Sequence, residues 1–197
     1  MQTSVDFFDK HFSEQVLHKQ YELNPFELLT LPYVAGDVLD FGCGLGNLSI
    51  AAAEAGCHVL ALDASPTAIT HLQGVASERG LPITAIEADL CSYRVDAYFD
   101  TVVSIGLLMF FDHATALAQL AQMRDHVRPG GILSVNVLIE GTTFLDMFDP
   151  ACYCLFRTHE LKEALAEWDI LAEAFHDFEA PQSTLKRFVT VIARRKS

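Results

Sequence analysis

Apolar residues along the chain fall into short runs that alternate with segments of helical composition. The runs typical of buried strands cover residues 38–41, 58–62, 83–88, 99–104, 132–139, 170–176 and 188–193. Composition and capping residues predict helices over residues 47–55, 66–79, 112–127 and 158–167. This alternation indicates an α/β fold with a doubly wound, mostly parallel sheet. The last two runs have no helix between them and predict a hairpin joined by residues 177–186.

The rest of the chain is organised around residues 37–63. A predicted strand is followed by Gly42, Gly44 and Gly46, then by a predicted helix, and then by a second strand that ends in Asp63. Glycines allow positive φ and let a ligand approach the backbone, and the new helix points free N–H groups at that ligand. A carboxylate at the tip of the second strand can accept both hydroxyls of a ribose. The unit therefore predicts a nucleoside site.

The turn differs from the one that binds dinucleotides. Its glycines are spaced G-x-G-x-G rather than G-x-G-x-x-G, and Asp40 precedes them. An acid at this place repels a pyrophosphate but attracts an ammonium group. S-adenosylmethionine carries an ammonium, a sulfonium and no phosphate, and Asp89 with the apolar Leu90 suits its adenine. The pattern favours this methyl donor over a nicotinamide cofactor.

Composition and charge limit the molecules that this protein can bind and the compartment in which it works. The formal net charge is −13, so we expect neither nucleic acid nor an anionic membrane to bind. No apolar run reaches the ~18 residues of a membrane span, and the first residues do not resemble a signal peptide. The five cysteines are irregularly spaced and predict no disulfide framework, which fits a reducing cytoplasm. We expect a cytoplasmic protein that acts on a small molecule, as a monomer or a homodimer.

Four landmarks in order resemble class I S-adenosylmethionine-dependent methyltransferases: residues 40–46, Asp63, Asp89 and the Pro-Gly-Gly at residues 129–131. The resemblance covers roughly residues 35–140. It implies a seven-stranded Rossmann-like sheet whose last strand is antiparallel, and S-adenosylmethionine as the cofactor. The donor contacts expected from it and from the turn are Asp40, Gly42, Cys43, Gly44, Asp63, Ala64, Asp89, Leu90 and Ser104.

A narrower resemblance is to the tellurite-resistance methyltransferases, which are thought to methylate tellurium or selenium oxyanions. It is carried by the FFDKHF segment near the start and by residues 101–110, 156–161 and 187–194. The family has a His-Arg pair before the last strand, thought to serve the anionic acceptor. Here His176 is followed by Asp177, so only the histidine matches.

The chain is predicted to be a single domain over residues 1–197, with two segments placed to shape the acceptor side. Residues 1–35 are aromatic and weakly helical, and they form either a fixed covering layer or a lid. Residues 140–157 form an insert near the acceptor pocket. Its aromatic residues wall that pocket or pack as a satellite cluster. These aromatic residues are Phe144, Phe148, Tyr153 and Phe156.

Methyl transfer from an activated donor is an in-line displacement that needs mainly positioning and exclusion of water. A hydroxyl or amine acceptor also needs a base, and His176 is the candidate base or anion-binding residue, or else an exposed residue of the hairpin. Cys152 and Cys154 with His159 fall short of a metal pattern, so no metal site is predicted. Two other functions stay open: a nicotinamide-dependent reductase, and a non-catalytic protein that binds the donor or its demethylated product.

Overall fold

A seven-stranded sheet runs through the computed structural model, which describes residues 2–197. The first residue of the predicted cover, residues 1–35, therefore lies outside the described residues. The strands are β1 (Asp37–Phe41), β2 (His58–Asp63), β3 (Ile83–Glu87), β4 (Phe99–Ile105), β5 (Val127–Leu138), β6 (Asp169–Ala180) and β7 (Thr184–Arg194). Their order is β3-β2-β1-β4-β5-β7-β6, and β7 is antiparallel to both of its neighbours. The predicted fold class is confirmed.

In the described residues six α-helices accompany the sheet: α1 (Gln2–His18), α2 (Pro25–Thr30), α3 (Asn47–Glu54), α4 (Pro66–Arg79), α5 (His113–Asp125) and α6 (Glu160–Ala164). Local sequence explains the bounds of α4. The Ser65 hydroxyl accepts a hydrogen bond from the Ala68 amide, Pro66 occupies the first turn, and Gly80 ends the helix at φ +63°. Asp112 caps α5 in the same way by accepting from the Thr115 amide.

Several bounds differ from the sequence prediction. β5 begins at Val127, because the Pro-Gly-Gly segment runs on as strand rather than ending the preceding turn. β6 and β7 extend through most of residues 177–186, and only Pro181–Ser183 remains as the turn. The predicted helix over residues 158–167 shrinks to Glu160–Ala164, and its N-cap residue is His159 rather than Thr158, with no capping hydrogen bond from the side chain. Residues 1–35 were predicted to be only weakly helical, but α1 spans 17 residues, Gln2–His18.

The central strands are buried on both faces, as parallel strands are. The larger cluster joins the sheet to α5 and α6 through residues such as Phe41, Val102, Leu120 and Leu161. A second cluster packs α3 and α4 on β1 and β2. Within residues 2–197, no helix combines the length and the apolar composition that crossing a membrane requires.

Ionic contacts join three strands at their amino ends. Arg128 of β5 lies 3.0 Å from Asp37 of β1 and 2.8 Å from Asp100 of β4. Asp100 also accepts the Asp37 amide at 2.8 Å. The carboxyl ends of the parallel strands lie at the opposite edge, where ligands bind in open α/β sheets.

Candidate active site

A cavity of about 390 Å³ opens at the carboxyl edge of the sheet. Its floor is the glycine turn after β1 and the end of β2. Its roof is α1, and its far wall is built from β5, β7 and α2. Both ends carry charged side chains, acidic beside the turn and basic on β7.

The turn after β1 brings bare backbone to the cavity. Gly42, Gly44 and Gly46 have φ of +89°, +53° and +77°, which is glycine conformation. A Cβ on Gly44 would lie 3.2 Å from the Phe12 ring, and one on Gly46 would lie 2.5 Å from a Leu72 methyl carbon. The turn leaves no room for side chains at these two positions.

The Asp63 carboxylate is held beside this turn by two amides. One oxygen accepts from the Gly44 N–H and the other from the Ser65 N–H, both at 2.8 Å. Burial raises the pKa of Asp63, and these backbone hydrogen bonds oppose the shift. A carboxylate has about four acceptor positions, so Asp63 can also accept from the hydroxyls of a ribose.

A second carboxyl, Asp40, lies buried under the turn and is 5% exposed. The Ser49 hydroxyl donates to it at 2.6 Å. Burial, together with the charges of Glu27 and Asp63, raises the pKa of Asp40 to about 7, although the hydrogen bond from Ser49 opposes this shift. Burial also raises the pKa of Glu27. A cation in the cavity would therefore be drawn to three carboxyl groups at this end.

Helix α1 forms the roof of the cavity. Phe8 contacts Phe110 with ring centroids 5.0 Å apart, and Phe12 lies over Gly44. Asp9 accepts a hydrogen bond from the Ser65 hydroxyl at 2.6 Å, next to Asp63. The cover is thus attached to the strand tips at several points along its length.

The far end of the cavity lies on β5 and β7. Asn136 is fully buried there, and its amide nitrogen donates to Thr190 Oγ1 at 2.9 Å and to the Val189 carbonyl at 3.3 Å. Lys186 lines the same end, with its Nζ 4.5 Å from the centroid of the Phe144 ring. Apolar side chains complete the walls: Phe8, Phe26, Phe110, Met147 and Phe188.

Most of the predicted donor residues meet in this cavity. The lining includes Asp40, Gly42, Cys43, Gly44, Asp63, Ala64 and Leu90. Burial raises the pKa of the Cys43 thiol well above its ordinary value, so this cysteine is a small apolar residue here rather than a nucleophile.

Asp89, Ser104 and His176 are placed differently, and their predicted roles stay predictions. Asp89 is exposed, and its carboxylate accepts from the Cys91 amide and the Ser92 hydroxyl. Ser104 is buried in β4, outside the residues that line the cavity. His176 packs edge-on against Phe26, with ring centroids 5.5 Å apart, so it stands behind the wall.

The insert after β5 reaches the cavity mainly through Met147. Phe144, Phe148 and Tyr153 form a cluster with Phe110 behind it, while Phe156 belongs to the main core. All five cysteines are free thiols, and the described residues contain no group of three His, Cys, Asp or Glu side chains suited to a metal ion.

Several polar residues of the cavity have no role in the sequence prediction, among them Glu27, Asn136 and Lys186. For Glu27 the available signal is Asn24, three residues earlier, which indicates a capping box that fixes it. For Asn136 the signal is a lone amide inside an apolar strand. Lys186 gives no signal, because the strand register that points it inward is not visible in the sequence.

Comparison with known proteins agrees with this geometry. Residues 38–131 match the family model described as a methyltransferase domain. The chain is 28% identical over 167 residues to hemagglutinin 1 of Eikenella corrodens, covering 80% of this chain and 54% of that protein. It is 23% identical over 198 residues to the probable S-adenosyl-L-methionine-dependent methyltransferase TehB of Haemophilus influenzae, covering 97% of this chain and 66% of that protein.

The crystal structure of TehB from Haemophilus influenzae superposes with a TM-score of 0.76 at 21% identity, over 88% of this chain and 63% of that one. The chain therefore spans two thirds or less of the length of these relatives. The resemblance to class I S-adenosylmethionine-dependent methyltransferases is confirmed.

The residues present fit that cofactor. S-adenosylmethionine carries no phosphate and is cationic, so it suits a turn flanked by the buried carboxyl of Asp40 and the partly buried carboxyl of Asp63. Neither carboxyl bonds to a Lys or Arg within residues 2–197. Asp63 would hold the ribose, and Asp40 with Glu27 would attract the ammonium group. The same carboxyls would repel the pyrophosphate of a dinucleotide.

Proposed function

We propose that this protein transfers a methyl group from S-adenosylmethionine to a small-molecule acceptor bound in the cavity beside the glycine turn. The observation that carries the proposal is the pair of carboxyl groups, Asp40 and Asp63, held in low-dielectric surroundings around bare backbone without a cationic partner among the described residues. Such a site is stabilised by a bound cation. The acidic net charge of −13 further favours a small molecule over a nucleic acid.

The reaction requires the protein mainly to position the donor and the acceptor. When bound, the sulfonium donor supplies an activated methyl group. The Asp63 carboxylate orients the ribose, and the Gly42–Gly46 backbone allows close approach. Helix α1 and Phe110 shield the cavity from water, which strengthens the electrostatic interactions inside it. A soft acceptor atom then needs no proton transfer, whereas a hydroxyl or amine needs a base.

A tellurium or selenium oxyanion is the second candidate acceptor, because the chain resembles the tellurite-resistance methyltransferases. The structure offers such an ion few cations. The Nε of Arg187 lies 3.3 Å from Asp177, the residue that stands where that family has arginine, so part of its guanidinium is already paired. His176 lies behind Phe26. An acceptor with an organic body therefore fits the cavity better.

The two remaining functions have separate tests. A nicotinamide-dependent reductase would have to place a pyrophosphate against Asp40 and Asp63. A non-catalytic protein would bind S-adenosylhomocysteine but would not produce it from S-adenosylmethionine with any acceptor.

We further propose that the protein acts in the cytoplasm, as a monomer or a homodimer.

Calorimetry with S-adenosylhomocysteine and with NADH is the first experiment. We expect the nucleoside to bind and NADH not to bind. Asp63→Asn should weaken nucleoside binding by about 1–3 kcal/mol, because one oxygen becomes a donor facing the ribose. Glu78→Gln, a change of the same kind on the exposed face of α4, should leave it unchanged. Binding of NADH alone, or full affinity in Asp63→Asn, would remove the proposal. An acceptor screen that detects released S-adenosylhomocysteine then tests turnover.

A further inference from the structure

Lys186 is a cation without a counterion at the far end of the cavity. It is partly buried, and its ammonium group has neither a hydrogen bond nor an ion pair within residues 2–197. Its Nζ lies 4.5 Å from the centroid of the Phe144 ring, in a cation–π contact. Burial lowers the pKa of Lys186. A partly desolvated charge in this position is stabilised when an anion binds next to it.

Asn136 is a second unsatisfied group at the same end. Its Oδ1 is buried and has no hydrogen-bond partner in the described part of the chain, although its Nδ2 donates to Thr190 and to the Val189 carbonyl. The Val189 carbonyl can only accept, which fixes the amide nitrogen on that side. Buried polar atoms are rarely left unpaired, so this oxygen is available to a donor group of a bound molecule or to a water molecule.

The space between these two groups is walled by aromatic rings. Phe26 and Phe188 lie with centroids 4.7 Å apart, and Phe110 contacts both Phe8 and Phe148. Met147 closes the insert side. Flat apolar walls of this kind bury the body of an organic molecule and leave its polar groups to a few fixed partners.

The strand order separates this end from the donor end. β5 is two strands from β1 and β7 is three strands away, which places Asn136 and Lys186 about 10–15 Å from the glycine turn. A donor held by Asp40 and Asp63 therefore leaves the β5–β7 side of the cavity free. The two ends of the cavity also carry opposite charge. The donor end is acidic, and the β5–β7 end is basic.

We propose that the β5–β7 end of the cavity binds the methyl acceptor, and that this acceptor is an organic anion with a flat apolar body whose charged group pairs with Lys186. The inference rests on the proposed function, since it takes the acidic end as the donor site. This proposal excludes two other classes of acceptor. A cationic amine would be repelled by the charge of Lys186, and a bare oxyanion would make no apolar contact with the aromatic walls.

Calorimetry on the protein saturated with S-adenosylhomocysteine tests this assignment with four probes: phenylacetate, its uncharged amide phenylacetamide, phenethylamine and tellurite. We expect phenylacetate to bind about ten-fold or more tightly than phenylacetamide, because a charge-assisted contact is lost in the amide. Phenethylamine and tellurite should bind more weakly than phenylacetate. Lys186→Met should abolish the preference for the acid, and Lys186→Arg should retain it.

Lys196→Met is the matched control. It removes the same charge from an exposed lysine beside Asp169, outside the cavity, and should keep the wild-type preference. Equal affinities for acid and amide, an acid preference that survives Lys186→Met, tighter binding of tellurite, or no binding of any ring compound to the S-adenosylhomocysteine complex would each overturn the inference while leaving the donor site intact. Failure of S-adenosylhomocysteine itself to bind would instead remove the proposed function, and this inference with it.

Discussion

Asp9 and Ser65 are joined by a 2.6 Å hydrogen bond that connects α1 to the start of α4. The Asp9 carboxylate also accepts from the Thr67 amide at 3.1 Å. Ser65 is the N-cap residue of α4, so a side chain from a distant part of the chain completes that cap. Because Asp9 lies between Phe8 and Phe12, the same contact fixes the two rings that roof the cavity.

Asp9→Ala should destabilise the protein by about 1 kcal/mol, the usual cost of losing a capping side chain. It should also increase amide hydrogen exchange in α1 above that in the sheet, because the roof loses its attachment. Glu14→Ala, at an exposed acid of the same helix, is the control and should change neither quantity. Equal protection of α1 in both variants would show that the aromatic contacts alone hold it.

The Asp9 contact should depend on pH. The hydrogen bond from Ser65 lowers the pKa of Asp9 below its ordinary value of 3.8. A group whose folded pKa is depressed contributes stability above its unfolded pKa and loses it as the pH falls through the folded value. The difference in Tm between wild type and Asp9→Ala should therefore be constant from neutral pH down to about 5 and then shrink below 3.8. A difference that persists in strong acid would exclude the ionised contact.

Asp40 should link donor binding to a proton near neutral pH. Its folded pKa is raised to about 7 by burial, so below that pH the free protein holds a neutral carboxyl, while a cationic ligand favours the carboxylate. S-adenosylhomocysteine affinity should then rise with pH, by up to about ten-fold per pH unit, and level off above neutrality. Calorimetry in buffers of different ionisation enthalpy should detect proton release, and Asp40→Asn should abolish it.

The same residue should lower stability at high pH when no donor is bound. For a carboxyl whose folded pKa is raised, the fold is most favoured while the group is protonated, and stability is lost as the pH rises from 3.8 to about 7. Asp40→Asn keeps an acceptor for Ser49 but cannot ionise. We expect a higher Tm for the variant at pH 8 and little difference at pH 4. A variant that is less stable at both pH values would contradict this.

Gly46 and Gly74 allow the same substitution to be compared at two sites. Gly46→Ala should destabilise by about 1–3 kcal/mol, because it forces alanine into positive φ and onto Leu72. Gly74→Ala lies inside α4 with nothing within 4 Å of the new Cβ. It should stabilise by about 0.5–1 kcal/mol. Denaturant unfolding measures both changes, and a neutral Gly46→Ala would show that the turn can relax.

The fold and the floor of the site were predictable because they depend on local signals. Glycine spacing, the acid at each strand tip and the cap Ser65-Pro66 each act within a few residues, so the sequence displays them directly. The Asp40 and Asp63 positions follow from the same local pattern. The fold class also followed from the alternation of strands and helices, which needs no knowledge of contacts.

The wall of the cavity on β5 and β7 was not predictable, because it depends on the pairing register of β7. Whether Lys186 faces the cavity or the solvent changes with a one-residue shift of β7, which the sequence of an exposed hairpin specifies weakly. Asn136 likewise becomes a cavity residue only when its neighbours on β4 and β7 are known. The roof was equally hidden, since the bond from Asp9 to Ser65 spans 56 residues of sequence.

The position of β7 also governs how the fold can assemble. It lies between β5 and β6 although it follows both along the chain, so neither strand can complete its pairing until β7 inserts. Because β7 follows the other strands in the sequence, ribosomal synthesis produces the residues of the glycine turn well before Lys186 and Phe188. The end of the cavity that holds the proposed donor is thus translated before the end that would select what receives the methyl group.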